Sequence, residues 1–195
     1  DAAEAYLGAA QGVSRQASRD FRYNAAVALA KDGRFQEASD IFRELSLQTR
    51  RGEKEDNLAL GTTLFRAAEK LDENDADEAK LRATLFREAG EAFKESWRNN
   101  AKEDAACDNV AVTIARLTEA EAQAKALALA KEYEQTPAPQ LADQMLTKQR
   151  EIAEALPAAI TNTSFTRITQ LEELAERQKE LADLWIPLKG KLAEA

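Results

Sequence analysis

The most informative stretch of the sequence is residues 23–45, which read YNAAVALAKDGRFQEASDIFREL. Apolar residues recur at helical spacing before and after Asp32-Gly33, and a glycine at such a point ends a helix in a left-handed conformation. We therefore predict two helices, over 18–31 and 34–48. They should pack as an antiparallel hairpin, with the small Ala26 and Ala38 allowing close approach.

The composition favours an all-α protein. The chain of 195 residues has 40 Ala but only 4 Val and 6 Ile, with 7 Gly and 4 Pro. Alanine is the best helix former, and β-branched residues that suit strands are scarce. Few turn-forming residues are available for a many-stranded fold.

Helical periodicity predicts seven further helices, with Cys107, Trp97 and Trp185 on apolar positions that we assign to the core. A capping-box pattern at Thr118 separates two of these helices. Pro157 should bend or end another. The Pro-rich segment 136–139 divides a repeat region, 1–135, from a C-terminal helical hairpin, 136–195. The predicted helices cover 3–17, 55–71, 76–98, 103–117, 118–134, 140–156 and 165–192.

Residues 23–45 resemble a tetratricopeptide repeat (TPR). The residues that carry the resemblance are Asn24, Ala26, Leu29, Gly33, Phe35, Ala38, Phe42 and Leu45. A second unit fits through Leu60, Gly61, Leu64, Ala89 and Phe93 if its hairpin is lengthened by residues 69–84. A third is DNVAVTIARL, residues 108–117, where Asn109, Ala111 and Ile114 repeat the spacing of the first unit.

The resemblance implies a TPR-like right-handed superhelix of antiparallel helix hairpins, with repeats at about 19–52, 54–100 and 104–134. A hairpin of this kind cannot bury its own apolar face, so at least three must stack. The chain is also loosely similar to the bacterial Bat-type aerotolerance proteins, which carry such repeats in the periplasm. Because the sequence begins at Asp1, we predict export after removal of a signal segment, with trimming of the chain and a cytoplasmic location as the alternative.

By the same resemblance, the first helix of each repeat lines a concave groove that binds a protein or peptide. Lys31, Arg66 and Arg116 recur at one position of the three first helices. They predict either a cationic row for an acidic partner or solvated charges that complement helix dipoles. Tyr23 stands where the family's carboxylate clamp has Lys. The predicted partner-binding residues are Tyr23, Asn24, Val27, Lys31, Thr62, Arg66, Asn109, Val112 and Arg116.

The sequence contains no histidine and one cysteine. Serine–histidine catalysis and histidine-ligated zinc or haem therefore lack the residue that they require. The acidic turn at 71–77 lacks the glycine and distal Glu of an EF-hand, so we interpret it as a helix cap. We predict a non-catalytic protein with no catalytic residue, no cofactor and no metal.

The net charge of −8, from 27 basic and 35 acidic residues, argues against nucleic-acid binding, which needs clustered Lys and Arg. No apolar run approaches the about 20 residues of a membrane span. The predicted partner is a protein or peptide, including one with acidic groups.

The C-terminal helix 165–192 has apolar residues at alternating spacings of three and four. Such a seam must be covered. Helix 140–156 can cover it within one chain, and we favour this because sequence neighbours pair at little entropic cost. The alternative is a structural component that forms an oligomer through 165–192. The seam comprises Leu171, Leu174, Leu181, Trp185 and Leu188.

Overall fold

The computed structural model describes residues 1–48, 54–99, 104–161, 163 and 166–193, and all of the secondary structure in these ranges is helical. The prediction of an all-α protein is confirmed. Side chains are described throughout these ranges except at residue 54 and residues 104–106. The chain divides into two compact units, Asp1–Ala124 and Lys125–Ala195.

The first unit begins with α1 (Ala2–Ala9) and α2 (Arg15–Lys31). The predicted single helix over 3–17 is wrong, for two local reasons. Gly12 has a φ of 73°, which ends the α1 segment in a turn, and the Ser14 side chain accepts a hydrogen bond from the Ala17 amide as the N-cap of α2.

The predicted hairpin is formed by α2 and α3 (Phe35–Gln48). Gly33 makes the turn with a φ of 79°. The two helices are antiparallel, since the Arg22 guanidinium contacts the Glu44 carboxylate and Arg15, at the start of α2, donates to the carbonyl of Gln48 at the end of α3. Their shared core contains fully buried small residues beside large ones, namely Ala26, Leu29, Ala38, Phe42 and Leu45.

The next pair is α4 (Lys54–Glu69) and α5 (Ala76–Asn99). The Asp75 side chain caps α5 by accepting from the amide of Glu78. The pair is also antiparallel, because Gly61 of α4 lies against the Phe93 ring of α5, whereas Phe65, one turn later in α4, lies against Phe86, two turns earlier in α5. The rings of Phe65 and Phe86 meet edge to face with centroids 5.1 Å apart. Trp97, on α5, is exposed, so its assignment to the core is wrong.

Helix α6 runs without interruption over Asp104–Glu132. The predicted break at Thr118 is wrong, because its hydroxyl donates to the Ile114 carbonyl four residues back instead of capping a new helix. Residues 104–132 therefore form one long helix and not a helix pair. Cys107 is exposed on it, which corrects its predicted place in the core.

The second unit contains α7 (Ala138–Thr161), α8 (Thr166–Asp183) and α9 (Trp185–Ala193). Pro157 does not end α7, which continues for another turn. The predicted helix 165–192 is two helices, and Pro187 lies in the first turn of α9, where no intrahelical amide bond is lost.

The C-terminal seam is covered within the chain, as predicted. Leu174, Leu181 and Leu188 are buried together with Leu141 and Ile152 of α7. The Lys191 ammonium donates to the Glu134 carbonyl at 2.9 Å and joins α9 to the chain just after α6.

Trp185 is exposed, so its assignment to the core is wrong. The predicted ends of the first two repeats at residues 52 and 100, and position 165 of the predicted C-terminal helix, lie outside the described residues.

Candidate functional site

In the first unit, α2 and α4 lie side by side and parallel. Near their first turns, the Arg19 guanidinium donates to the fully buried Asp56 carboxylate at 2.5 Å. Near their last turns, Lys31 and Arg66 line one groove. Since each of these helices is antiparallel to the next helix in the chain, α3 and α5 are parallel to each other too. A bond between the Arg43 guanidinium and the Glu88 carboxylate, at 3.0 Å, joins α3 to α5.

The groove between α2 and α4 has a volume of about 300 Å³. Its floor includes the Phe42 ring of α3, which meets the Tyr23 ring edge to face at a centroid distance of 5.4 Å. The walls are mostly aliphatic, so the floor and walls offer an apolar contact surface to an apolar side chain. The wall residues are Val27, Ala30, Leu58, Ala59, Thr62 and Thr63.

A second section of about 220 Å³ continues the groove between α4 and α6. Thr62 and Arg66 line both sections, so the two are contiguous. Asn109 and Val112 of α6 form the far wall, and the Phe93 ring of α5 forms part of the floor. An aromatic ring from each hairpin's second helix thus lies below each section.

The charges of the groove are separated along its length. Lys31 and Arg66 lie at one end of the first section, and Glu55 lies near the other end, beside Tyr23. Glu69 lines the second section, one turn beyond Arg66. The groove therefore presents cations beside an apolar floor, with carboxylates to either side.

Arg66 differs from the other arginines that the structure describes in the first unit. Arg15, Arg19, Arg22, Arg34, Arg43, Arg82, Arg87, Arg98 and Arg116 each donate to a carboxylate or a carbonyl oxygen. Within the described ranges, neither Arg66 nor Lys31 has a carboxylate within 4.0 Å. The arginine in the middle of the groove is thus available to an external anion.

Tyr23 keeps its proton at neutral pH. Burial raises the pKa of its hydroxyl, and the nearby carboxylates of Glu55 and Asp56 raise it further. The phenol at the end of the groove is therefore a neutral hydrogen-bond donor and acceptor.

The structure brings seven of the nine predicted partner-binding residues to the groove. Five line the first section, Tyr23, Val27, Lys31, Thr62 and Arg66, and four line the second, Thr62, Arg66, Asn109 and Val112.

Asn24 and Arg116 are not among the lining residues. Asn24 is exposed and follows Tyr23 on α2, so its side chain points about 100° around the helix axis from that of Tyr23. The Arg116 guanidinium donates to the Glu119 carboxylate of its own helix at 3.1 Å. The cationic row therefore has two members in the groove, Lys31 and Arg66.

Sequence reasoning missed several lining residues. Glu55, Leu58 and Ala59 precede Thr62 by seven, four and three residues, and this spacing places them on the same face of α4. That signal was present in the sequence. The floor residues Phe42 and Phe93 entered the sequence analysis only as residues that carry the TPR resemblance.

Over the ranges that the structure describes, no three His, Cys, Asp or Glu side chains come together to hold a metal ion. None of the described helices combines the length and apolar character needed to cross a bilayer.

No family model, curated protein or solved structure matches this chain. The resemblance to the TPR family therefore stays a prediction, and any assignment of function must begin from the geometry of the groove.

Proposed function

We propose that the first unit is a divergent, TPR-like right-handed superhelix that binds an extended segment of a partner protein. The protein would serve as a non-catalytic scaffold, with the groove along α2, α4 and α6 as the docking site. One observation carries the proposal: Arg66 lines both sections of a groove with aromatic rings in its floor and has no carboxylate partner among the described residues.

An apolar floor beside free cations favours a particular kind of ligand. Apolar side chains gain about 25 cal/mol per Å² of area buried on the floor. A carboxylate placed between Lys31 and Arg66 gains charge-assisted hydrogen bonds, which are about twice as strong as neutral ones. The ligand class is therefore a peptide segment that combines apolar side chains with at least one carboxylate.

The order of the helices supports the family resemblance. α2 and α4 line the groove, α3 and α5 place Phe42 and Phe93 in its floor, and α6 adds one further wall. Two hairpins and then a single long helix suffice for both sections, without the third hairpin that the sequence predicts.

A direct test uses two pools of fluorescein-labelled decapeptides rich in Leu and Phe, one containing Asp and Glu and the other Asn and Gln. In fluorescence anisotropy titrations of the full chain, the acidic pool should bind at least about tenfold more tightly, a difference of about 1.4 kcal/mol. Equal affinity for both pools would remove the carboxylate from the proposal.

The matched variants are Lys31→Glu/Arg66→Glu and Lys70→Glu/Lys80→Glu. Both pairs change the net charge by the same amount, but Lys70 and Lys80 are exposed and do not line the groove. The first pair should abolish binding of the acidic pool while the helical circular dichroism is retained. The second should leave binding unchanged, and equal losses in both would indicate long-range attraction instead of a site.

A further inference from the structure

One side of the α7–α8 hairpin is apolar and exposed. The most prominent side chains are Leu146, 56% exposed, Ile160, 50% exposed, and Ile168, 69% exposed. We call this surface the apolar face and define it by Leu146, Ala153, Leu156, Ile160, Ile168 and Ala175, which all have solvent-accessible side chains.

These residues lie on one edge of the buried seam. At 100° per residue, Leu146, Ala153 and Ile160 are turned by about 80–120° from Ile152, which faces α8. Ile168 and Ala175 are turned by the same amount and in the same sense from Leu174, which faces α7. Because the two helices are antiparallel, both sets project to the same side of the hairpin.

The charges lie on the opposite edge. There, α7 and α8 share clefts lined by Lys148, Glu151, Glu173, Arg177 and Glu180. On the apolar side, steps of three and four residues along each helix join the residues of the apolar face. The remaining positions in these two series are Ala142, Gln149, Leu171, Gln178 and Ala182. Neither series, over 142–160 on α7 or over 168–182 on α8, contains a charged residue.

We propose that the apolar face is the interface of a homodimer, in which the α7–α8 hairpins of two copies pack as a four-helix bundle. The residues repeat every seven positions on both helices, which is the spacing that side-by-side helix packing requires. Two identical faces of this kind complement each other without a charge to desolvate, and homodimer interfaces are more apolar than other surfaces.

The size of the face is sufficient. Residues 142–160 span about 27 Å of helix, and two neighbouring helices are together about 20 Å wide. Each copy therefore offers about 500 Å², and a dimer would bury about 1,000 Å², which is the lower bound for a specific interface.

This interface differs from the one predicted from the sequence. Leu174, Leu181 and Leu188 are buried against α7 within one chain and are not available to a second copy. The apolar face lies beside that seam, and association through it leaves the hairpin core intact.

The test is the mass of the full chain by light scattering after size exclusion, at concentrations up to about 100 μM. The expected mass is twice the 21.5 kDa of one chain. Leu146→Glu/Ile160→Glu and, separately, Ile168→Glu should raise the dissociation constant at least about a hundredfold, because each places charge in an apolar interface.

The matched control is Gln144→Glu/Thr147→Glu, which adds the same charge to exposed positions on the other side of α7. It should remain a dimer. All variants should keep the circular dichroism of the wild type, since every substituted side chain is exposed. A wild-type monomer at the highest concentration overturns the proposal, as does a dimer that both apolar-face variants leave unchanged.

Discussion

An Asn-x-Ala-x-x-aliphatic motif occurs twice in the first unit, at residues 24–29 and 109–114, and its two copies have opposite environments. In α2, Ala26 is fully buried and Leu29 is 2% exposed. In α6, Ile114 is 49% exposed. Identical spacing within one helix therefore does not determine which face is buried.

The difference arises from the chain segment after each motif. After α2, Gly33 turns the chain and α3 returns along the face that carries Ala26 and Leu29. After residue 114, α6 continues, and among the described residues no helix covers the face that carries Ala111 and Ile114, which are both exposed. Thr113 is buried instead, with its methyl carbon 3.6 Å from the place that a Cβ on Gly90 of α5 would take.

The largest predicted effect compares the two aliphatic residues. Leu29→Ala removes buried methyl groups and leaves a cavity, so it should lower the free energy of unfolding by about 2–5 kcal/mol. Ile114→Ala removes an exposed side chain and should change that free energy by less than about 0.5 kcal/mol. Urea unfolding followed by circular dichroism measures both, and equal losses would mean that the two motifs are packed alike.

The second comparison enlarges the small residue of each motif. Ala26→Leu forces extra volume into the contact between α2 and its neighbours and should cost about 1–3 kcal/mol. Ala111 is exposed, so Ala111→Leu should be neutral within about 0.5 kcal/mol. A destabilised Ala111→Leu variant, measured by the same urea unfolding, would show that a helix covers this face in solution.

Much of the fold could be predicted because it depends on local signals. Gly33 and the apolar stripes on either side of it specify the α2–α3 hairpin, and the leucines at heptad spacing specify the cover of α8 by α7. Helix ends were harder to predict, since a side-chain hydroxyl can cap a helix by accepting from an amide, as Ser14 does, or lie inside a helix and donate to a carbonyl, as Thr118 does. Which role applies depends on whether the helical turn next to the hydroxyl packs against another helix, and this is a tertiary effect.

The candidate site could be predicted in part for a related reason. Spacing along one helix placed Val27 and Lys31 together, and Thr62 with Arg66, but it could not show which cations have carboxylate partners. Arg116 has one in Glu119, three residues away, whereas Arg66 at the same spacing from Glu69 does not. Local spacing therefore permits an ion pair but does not determine that one forms.

The smallest predicted effect concerns two ion pairs of equal spacing, one at the start of α3 and one within α6. Arg34 donates to both Glu37 oxygens, at 2.7 and 2.6 Å, and lowers the pKa of the Glu37 carboxyl, whereas Arg116 makes one bond to Glu119 at 3.1 Å. Because a carboxyl whose pKa is lowered on folding stabilises the folded state fully above its ordinary pKa, Glu37→Gln should reduce stability slightly at pH 7. The deficit should vanish as the pH falls through the lowered pKa, and high salt should diminish it.

Glu119→Gln, which changes the net charge equally, should show a smaller deficit in urea unfolding at pH 7. A Glu37→Gln deficit that persists at a pH of about 2–3, below the carboxyl range, would mean that the side chain stabilises α3 through packing and not through its charge.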